Sequence, residues 1–278
     1  MRKPTLLVTG GMGNLGSWIV QEAVKSFEVT VLSRSSRDVL IDGEYTLMLA
    51  DLADEQQLYE KLKGMEFQYV IHAGSVNDGF VEGYMPLSYS VNAFGTRYLL
   101  KALNLDVVKH FIYLSTFQVY GSYEGVITEE TKTQPKNDYG MSHLLAEYFL
   151  SMDLKDLKYS VIRLTNSYGC PKDLATSKWY LILNDLSKSA FYKREIKLGG
   201  NGKARRDFIW MGDVCSALLK LLKVSPLNEV YNLSREHTLS MRDVAENVQS
   251  AYQEYLGALL PVRFNESDKS TPDQSLAV

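Results

Sequence analysis

Cysteine is scarce in this sequence, and long uncharged apolar runs are absent from it. Of the 278 residues only Cys170 and Cys215 are cysteines, and neither belongs to a CxxC motif or a cysteine–histidine cluster. A disulfide framework is therefore not indicated, and neither is a zinc or other metal site. No stretch approaches the roughly 18 apolar residues of a membrane-spanning helix. The sequence predicts a protein of a reducing cytoplasm, without a secretory or membrane-spanning segment.

A strong excess of charge of either sign is also lacking. Thirty Lys and Arg residues face 33 Asp and Glu residues, which gives a formal net charge of −3. Such a chain lacks the overall positive field with which nucleic-acid binders and many membrane-surface proteins attract their ligands. The 45% of hydrophobic residues and 23% of charged residues are typical of an ordinary globular fold and exclude wholesale disorder. The length fits one large domain, with or without an additional lobe.

Short apolar runs alternate with helical patterns through the first two thirds of the chain. Strands are predicted at Leu6–Thr9, Val29–Leu32, Tyr45–Leu49, Tyr69–His72, Phe111–Leu114 and Ser160–Leu164. Helices are predicted near Leu15–Phe27, Glu55–Leu62, Leu87–Leu103 and Tyr139–Met152. Strands that are regularly separated by helices form right-handed crossovers and therefore a parallel sheet covered on both faces. The predicted fold class is thus α/β, a doubly wound, Rossmann-like sheet.

The pattern changes after Cys170 and predicts a smaller C-terminal lobe. Its predicted elements are helices at Trp179–Phe191, Gly212–Lys223 and from Ser240, and a strand at Glu195–Leu198. Ser240 with Asp243 resembles a capping box. We therefore predict an interleaved division into residues 1–168 and 169–278. The polar segment Asn265–Val278 lacks periodicity and is predicted to be loose, or to be the end of a shortened chain.

A glycine-rich loop follows the first predicted strand and opens the first helix. It reproduces a GxxGxxG spacing, and the residues of it that we predict to hold a pyrophosphate are Gly10, Gly13, Asn14, Leu15 and Gly16. Glycines permit the tight turn and a close approach of the backbone to the ligand, while the helix N-terminus supplies amides and a favourable dipole. The alternative is a strand-to-helix turn that binds nothing.

The end of the second predicted strand carries Ser33 and Arg34 instead of an acidic residue. An acidic side chain there would bind the adenosine ribose and repel a 2′-phosphate, so Ser33 and Arg34 favour NADP over NAD. The alternative for Arg34 is a solvated loop cation. Asp51 and Leu52 end the third strand, where the carboxylate of Asp51 can accept the adenine amino group or, alternatively, cap a helix.

Several further blocks occur in a characteristic order. They are His72-Ala73-Gly74, Asn92 to Thr96, Leu114 to Gly121, Tyr139-xxx-His143, Arg163 to Gly169, and Arg206-Asp207-Phe208-Ile209. With the glycine loop, they resemble the extended short-chain dehydrogenase/reductase family, in its NAD(P)-dependent sugar-nucleotide epimerase/dehydratase branch. The resemblance covers about residues 5 to 233. It implies that the C-terminal lobe binds the substrate.

The resemblance also implies roles for single residues. Tyr139 would be the acid/base, Thr116 would hydrogen-bond the reacting oxygen and contact substrate, and Asn166 and Arg206 would hold the substrate diphosphate. The cofactor would further be contacted by Ala73, Gly74, Asn92, Ser115, Tyr139 and His143. Independently of the family, a phenol of lowered pKa can exchange the proton that accompanies hydride transfer, and a neighbouring hydroxyl can stabilise the alkoxide.

Two positions depart from the family pattern. The lysine of the family's YxxxK motif is His143 here, which stays on the face of Tyr139 but carries a positive charge only conditionally. Three outcomes stay open: an active enzyme in which His143 does part of the lysine's work, a weak enzyme leaning on another cation, and a binding protein without turnover. Phe117 and Gln118 stand where dehydratases have an acidic pair, which disfavours dehydration and decarboxylation.

Epimerisation or keto reduction is left, and the resemblance favours a 4-epimerase of a nucleoside-diphosphate sugar, because the family is rich in such enzymes. An NADPH-dependent keto-sugar reductase and a catalytically weakened dinucleotide sensor are the alternatives. Trp179, Tyr180 and Phe191 are candidates for stacking on a base or sugar, or else belong to the core. By analogy with the family, we expect a homodimer formed through the helices near 87–103 and 139–152.

Overall fold

Strands and helices alternate as the periodicity predicts. The computed structural model describes residues 2–77, 85–122, 124–154, 158–173, 175, 178–224, 229–268 and 276–278. The strands are β1 (Thr5–Thr9), β2 (Glu28–Ser33), β3 (Thr46–Leu49), β4 (Tyr69–His72), β5 (His110–Thr116), β6 (Gly125–Val126), β7 (Tyr159–Leu164), β8 (Asn166–Tyr168), β9 (Ile196–Lys197), β10 (Arg205–Trp210), β11 (Glu229–Leu233), β12 (Thr238–Ser240), β13 (Val262–Arg263) and β14 (Leu276–Ala277). The α-helices are α1 (Asn14–Ala23), α2 (Glu55–Leu62), α3 (Met85–Ser88), α4 (Gly95–Ala102), α5 (Asp138–Asp153), α6 (Ile182–Lys193), α7 (Met211–Leu221) and α8 (Met241–Leu256). A π-helix at Tyr89–Phe94 joins α3 to α4, and short 3₁₀ turns lie at Leu105–Val107, Phe117–Tyr120 and Lys178–Tyr180.

A central sheet of seven strands dominates the described residues, in the order β11-β7-β5-β4-β1-β2-β3. Every neighbouring pair in it is parallel, and Leu6 of β1 lies between Val29 of β2 and Tyr69 of β4. The chain builds outward from β1 to β3, then crosses back to β4 on the other side of β1. Ligands of doubly wound sheets bind at this reversal, beyond the carboxyl ends of the strands. The predicted fold class is confirmed.

Successive residues of each strand point to opposite faces of the sheet, so two separate apolar layers form. On one face, Leu7 and Phe111 pack beneath α2, α4 and α5. On the other, Leu6, Val8 and Ile112 pack beneath α1 and α7. This two-sided burial explains why the strands read as continuous apolar runs rather than as alternating ones.

Capping side chains fix where three helices begin. Asp54 accepts the Gln57 amide at the start of α2, and Asn137 accepts the Gly140 amide at the start of α5. Ser240 and Asp243 form the predicted capping box of α8, with Ser240 Oγ accepting the Asp243 amide. Each such cap satisfies a helix amide that has no acceptor within the helix, and contributes about 1 kcal/mol.

The C-terminal part of the chain is interleaved with the central sheet. Strand β11 pairs with β7 at the edge of that sheet, and α7 packs against α1. Both lie in sequence beyond residue 168, so the predicted division follows the chain only approximately. The lobe itself contains α6 and α8, which pack around Leu186, Phe208 and Val244, and the small sheet β12-β10-β8.

The end of the chain is better ordered than the sequence suggests. Strand β14 pairs in parallel with β6, Leu276 is buried, and the Thr238 hydroxyl donates to the Leu276 carbonyl. The prediction of a loose tail is therefore wrong for residues 276–278, because the apolar Leu276 finds a cluster to join. Residues 269–275 of that prediction lie outside the described residues. Among the described helices, none has the length and apolar character that crossing a bilayer requires.

Candidate functional site

An open cavity of about 500 Å³ lies at the carboxyl ends of the central strands, where the strand order reverses. Fourteen of the predicted site residues line it: Gly10, Gly13, Asn14, Leu15, Gly16, Ser33, Arg34, Asp51, Leu52, Ala73, Gly74, Ser115, Thr116 and Tyr139. They come from the ends of five strands, β1 to β5, and from the start of α5, and the parallel sheet brings them together.

The glycine loop is shaped by contacts that leave no room for side chains. Gly10 has a φ of 67°, and a Cβ there would lie 2.6 Å from the Gly74 Cα atom. A Cβ on Gly16 would lie 2.1 Å from the Gly10 carbonyl oxygen. The Gly13 amide donates to that same Gly10 oxygen at 2.8 Å and closes the turn. Glycine is therefore required for the packing of strand, loop and helix, and the predicted tight turn is present, whereas the approach of the backbone to a ligand stays a prediction.

The residues of the loop fit a dinucleotide. Helix α1 starts at the cavity with Gly13 as its N-cap, and within the described residues no side chain caps it and its first turn has no acidic residue. The side-chain oxygen of Asn14 is buried there without a partner among the described atoms. Uncapped amides and the helix dipole favour an anion such as a pyrophosphate.

Two residues predicted to contact an adenosine, Arg34 and Asp51, follow the adjacent strands β2 and β3. Arg34 is exposed at the end of β2, where Ser33 turns the backbone by donating its hydroxyl to the Ser35 carbonyl. Asp51 accepts the Ala53 amide at 2.9 Å, whereas Asp54 caps α2. The alternative that Asp51 is the helix cap is therefore wrong, and its carboxylate lines the cavity.

Tyr139 and Thr116 bring hydroxyl groups to the inner end of the cavity. Tyr139 stands in the first turn of α5, which the Asn137 cap anchors. Thr116 ends β5 and caps the following 3₁₀ turn, with Oγ1 accepting the Gln118 amide at 3.2 Å. Because that bond uses the oxygen as an acceptor, the Thr116 proton is still available for another oxygen.

Ser115 is linked to a buried ion pair behind the cavity. Its hydroxyl donates to Glu147, whose other oxygen lies 2.7 Å from Nη2 of Arg163. Both charged side chains are only 8% exposed, and Arg163 also donates to the Tyr120 hydroxyl at 3.0 Å. The low dielectric of this region makes each partner depend on the other, since either charge alone would be buried unpaired.

His143 stays on the face of Tyr139, with the two ring centroids 4.6 Å apart and nearly perpendicular. It is only 1% exposed and does not belong to the cavity lining. Its Nδ1 lies 2.8 Å from the Tyr113 hydroxyl, and its Nε2 has no partner among the described atoms. Burial lowers the pKa of His143 to about 3, so the ring is neutral at pH 7. The predicted conditional charge is therefore not present at physiological pH.

His72 is buried next to the glycine loop and is hydrogen-bonded to the residues that flank it. Its Nδ1 is hydrogen-bonded to the Thr9 hydroxyl, its Nε2 lies 2.9 Å from Thr96 Oγ1, and Thr9 Oγ1 accepts the Gly74 amide. Burial, with a smaller effect of His143, lowers the pKa of His72 to about 3. A neutral ring that bridges two hydroxyls fixes β1, β4 and α4 relative to one another.

Besides His143, three further predicted contacts lie outside the cavity lining. Asn92 bridges the Val76 backbone and Ser142, which ties α5 to the loop after β4. The Asn166 amide donates to the Asp207 carbonyl, and Arg206 donates to the Arg205 carbonyl. Sequence reasoning assigned the last two to a diphosphate, but Asn166 lies where β8 pairs with β10, and Arg206 lies where β10 pairs with β12. Their binding role stays a prediction.

Further residues line the cavity, and apart from Tyr180 the sequence analysis gave those named here no role in the site. Thr165, Ser167, Lys178, Tyr180 and Leu181 line the side toward the lobe. Lys178 Nζ donates to the Tyr180 hydroxyl at 2.9 Å, so a cation and an aromatic ring stand there together. Tyr180 was a candidate for stacking, whereas the single lysine in a loop offered no periodic or motif signal.

Comparisons with known proteins agree with this geometry. A family model described as "NAD dependent epimerase/dehydratase family" matches residues 6–234. Because this is a family of NAD-dependent enzymes, the predictions of an enzyme and of NAD or NADP as its cofactor are confirmed. The preference for NADP stays a prediction.

Individual relatives are distant but cover most of the chain. The chain is 25% identical over 262 residues to human dTDP-D-glucose 4,6-dehydratase, with 87% of this chain and 72% of that protein covered. It is 25% identical over 293 residues to UDP-glucose 4-epimerase of Lactobacillus helveticus, with 98% and 88% covered. UDP-glucuronic acid 4-epimerase from Bacillus cereus, crystallised with UDP-glucuronic acid and NAD, superposes with a TM-score of 0.80 at 20% identity, with 99% and 90% covered.

Proposed function

Because this chain belongs to the NAD-dependent epimerase/dehydratase family, we propose that it epimerises a nucleoside-diphosphate sugar at C4. The observation that carries the proposal is that Tyr139 and Thr116 line the same cavity as the glycine loop. A proton-transferring phenol, a second hydroxyl and a dinucleotide cradle are the groups that reversible oxidation of a sugar alcohol requires.

A bound dinucleotide supplies the hydride acceptor and donor. As the phenolate, Tyr139 takes the proton of the sugar hydroxyl at its phenolic oxygen, and it returns that proton in the second half of the reaction. Thr116 donates its hydroxyl proton to the same sugar oxygen and stabilises the developing negative charge. Between the two halves of the reaction the keto sugar rotates and presents its other face, which inverts the configuration at C4. The open cavity leaves space for this rotation.

Dehydration is not supported by the segment after Thr116. Phe117 is buried in an apolar cluster, and Gln118 accepts a hydrogen bond from the Asn137 amide at 2.8 Å. Neither side chain can act as an acid or a base. The dehydratases among the relatives therefore share the fold with this chain, and we do not assign their chemistry to it.

At the lobe side of the cavity, we propose that Lys178 and Tyr180 bind the nucleoside diphosphate. A lysine ammonium attracts phosphate as a point charge, and a tyrosine ring offers a stacking face. This assignment replaces Asn166 and Arg206 as first candidates, since neither lines the cavity and each donates a hydrogen bond to a backbone carbonyl of the lobe.

A keto-sugar reductase is the second candidate, and Arg34 is the observation that favours it. Its guanidinium is exposed at the cavity edge. A cation there suits the 2′-phosphate of NADPH, which serves one-way reductions. Tightly retained NAD after purification supports the epimerase, and freely exchanging NADPH supports the reductase.

We further propose a homodimer. Phe94, Met141, Tyr148 and Met152 are between 43% and 57% exposed, and the last three repeat along one side of α5. A row of large exposed apolar side chains on a helix is typical of a protein interface. Sedimentation velocity measures the state directly.

The central test replaces Tyr139 by Phe. We expect turnover of nucleotide sugars to fall at least a thousandfold, since proton transfer contributes on the order of 10²–10⁴ in rate and the hydrogen bond is lost as well. Dinucleotide affinity, measured by titration calorimetry, is expected to stay within threefold. Turnover at the level of the unmodified enzyme would remove Tyr139 from the mechanism and the proposal with it.

A further inference from the structure

Two residues on opposite sides of Thr116 are held by the same buried ion pair. Ser115, directly before Thr116, donates its hydroxyl to the Glu147 carboxylate. Arg163 donates to that carboxylate through Nη2 at 2.7 Å and through Nε at 3.2 Å. Tyr120 ends the 3₁₀ turn that follows Thr116, and its hydroxyl accepts from Nη1 of Arg163 at 3.0 Å. The segment that carries the Thr116 hydroxyl is therefore fixed at both of its ends.

The parallel register of the central sheet brings these groups together. Ser115 of β5 is paired in register with Arg163 of β7, which in turn is paired with Asn232 of β11. The Tyr120 hydroxyl contacts this row of side chains, since it donates to Asn232 Oδ1 at 2.8 Å while it accepts from Arg163. Burial raises the pKa of Tyr120, so its hydroxyl keeps the proton that the bond to Asn232 requires.

The same ion pair also connects this segment to helix α5. Glu147 stands on α5, the helix that brings Tyr139 to the cavity. Its bonds to Ser115 and Arg163 join the helix to strands β5 and β7. The two hydroxyls that the proposed reaction uses thus belong to elements that one buried carboxylate holds together.

Stability alone does not account for a charge pair at this place. The removal of two charges from water is costly, and apolar side chains of similar volume often stabilise a protein core equally well or better. A carboxylate, however, accepts several hydrogen bonds at once, and a guanidinium offers its donors in a fixed planar arrangement. The pair therefore restricts direction as well as distance, and a reacting hydroxyl requires both.

We propose that the Glu147–Arg163 pair positions the Thr116 hydroxyl. Glu147 acts through Ser115, and Arg163 acts through Tyr120. Both charged residues lie outside the described cavity lining, so they are positioning residues and not catalytic ones. The effect on turnover rests on the proposed function, in which Thr116 hydrogen-bonds the sugar oxygen. The orientation of the Thr116 side chain in the protein does not depend on that function.

The first test is a double-mutant cycle on kcat for the nucleotide sugar. Tyr120→Phe and Ser115→Ala each remove one hydroxyl that contacts the pair, both in the unmodified enzyme and in a Thr116→Val background. We expect kcat to fall about fivefold to tenfold in the unmodified enzyme, the effect of roughly one hydrogen bond, with KM within about twofold. In the Thr116→Val background kcat should fall less than about twofold, because an effect that acts through the Thr116 hydroxyl cannot be lost twice.

Ser160→Ala is the matched control for Ser115→Ala. Ser160 is fully buried on β7, and its Oγ lies 2.9 Å from Nε2 of His110 on β5. It therefore also connects a central strand to a buried side chain, but at the other end of the strands from Thr116. This variant should lower the unfolding temperature about as much as Ser115→Ala does and should keep kcat in both backgrounds.

A further variant addresses the ion pair itself. Glu147→Met together with Arg163→Met removes both charges at once, so neither is left buried without its partner. Circular dichroism checks that the variant is folded. We expect kcat to fall about tenfold or more, and the decrease should again be absent in the Thr116→Val background.

The orientation of Thr116 is measured without substrate. Three-bond couplings of the Thr116 methyl group, assigned with Thr116→Val, report its χ1 angle. We expect one rotamer in the unmodified protein and in Ser160→Ala. An average over rotamers is expected in Tyr120→Phe, in Ser115→Ala and in the double methionine variant.

The outcomes separate this inference from the proposed function. Equal losses of kcat in both backgrounds, an unchanged kcat in both hydroxyl variants, or a single Thr116 rotamer in every variant would overturn the inference. A rotamer that is fixed in the unmodified protein and averaged in Tyr120→Phe, in a protein that turns over no nucleotide sugar, refutes the 4-epimerase and leaves the positioning role intact. An active epimerase with additive losses refutes the positioning role alone.

Discussion

The two ends of the cavity are assembled in different ways. At the cofactor end, Gly10 to Gly16 form one continuous segment, made of the turn after β1 and the first residues of α1. Most of the other predicted cofactor contacts in the lining stand at the ends of parallel strands. At the lobe end, Lys178 and Tyr180 lie in a short turn, and Asn166 and Arg206 are engaged in a small sheet. The geometry of a site formed by one continuous segment is determined by the local sequence. The geometry of a site formed between separate elements is determined by how those elements pack.

The largest effect is expected from a substitution in the glycine loop at the cofactor end. Gly16→Ala places a Cβ 2.1 Å from the Gly10 carbonyl, so the loop must move away from α1. We expect NAD and NADPH affinity to fall at least a hundredfold, as measured by titration calorimetry, with about 1–3 kcal/mol lost in stability from overpacking. Gly199→Ala is the control, because its Cβ would meet none of the described atoms within 4 Å. Equal losses in the two variants would contradict a specific role of the loop.

An intermediate effect is expected at the lobe end. Lys178→Ala should raise KM for the nucleotide sugar about 10- to 50-fold, since a charge-assisted hydrogen bond contributes roughly 1.5–3 kcal/mol. Arg206→Ala should raise KM less than threefold, because its guanidinium donates to the Arg205 carbonyl and lies outside the cavity lining. Steady-state kinetics on both variants measure the two KM values. A larger increase of KM in Arg206→Ala than in Lys178→Ala would restore Arg206 as the diphosphate ligand.

The smallest effect concerns selectivity at the cofactor end. Arg34→Ala should weaken NADPH about fivefold to tenfold and leave NADH within twofold, because an exposed cation contributes on the order of 1 kcal/mol. Raising the salt concentration should reduce the difference. Arg2→Ala is a control, since Arg2 is an exposed cation paired with Glu28 and outside the cavity lining. Equal losses of affinity for NADPH and NADH would contradict the assignment of Arg34 to the 2′-phosphate.

The difference between the ends also explains which parts of the molecule could be predicted. The strands Tyr69–His72 and Leu6–Thr9 and the helix Glu55–Leu62 are long or strongly patterned, and they lie where the apolar pattern puts them. The six-residue strand Arg205–Trp210 was missed, because it begins with charged residues and is recognised only by its partners β8 and β12. Propensity does not carry that information.

The same reasoning applies to single side chains. Gly10 and Thr116 line the cavity because their motifs lie at strand ends, and Tyr139 lines it from the first turn of α5, while their roles stay predictions. The contact of Tyr113 with His143 could not be foreseen, because 30 residues separate them and only the docking of α5 on β5 brings them together. Neutrality of His143 likewise follows from burial, which a spacing argument cannot supply.

The last described strand, β14, packs against a segment from the middle of the sequence. Leu276 packs into the cluster that contains Phe117 and Val119, immediately after Thr116, and the Ile127 amide donates to the Ala277 carbonyl. The parallel strand β14 thus stabilises the turn that follows Thr116 and carries its hydroxyl. Any substitution that displaces Leu276 removes this support from the candidate site.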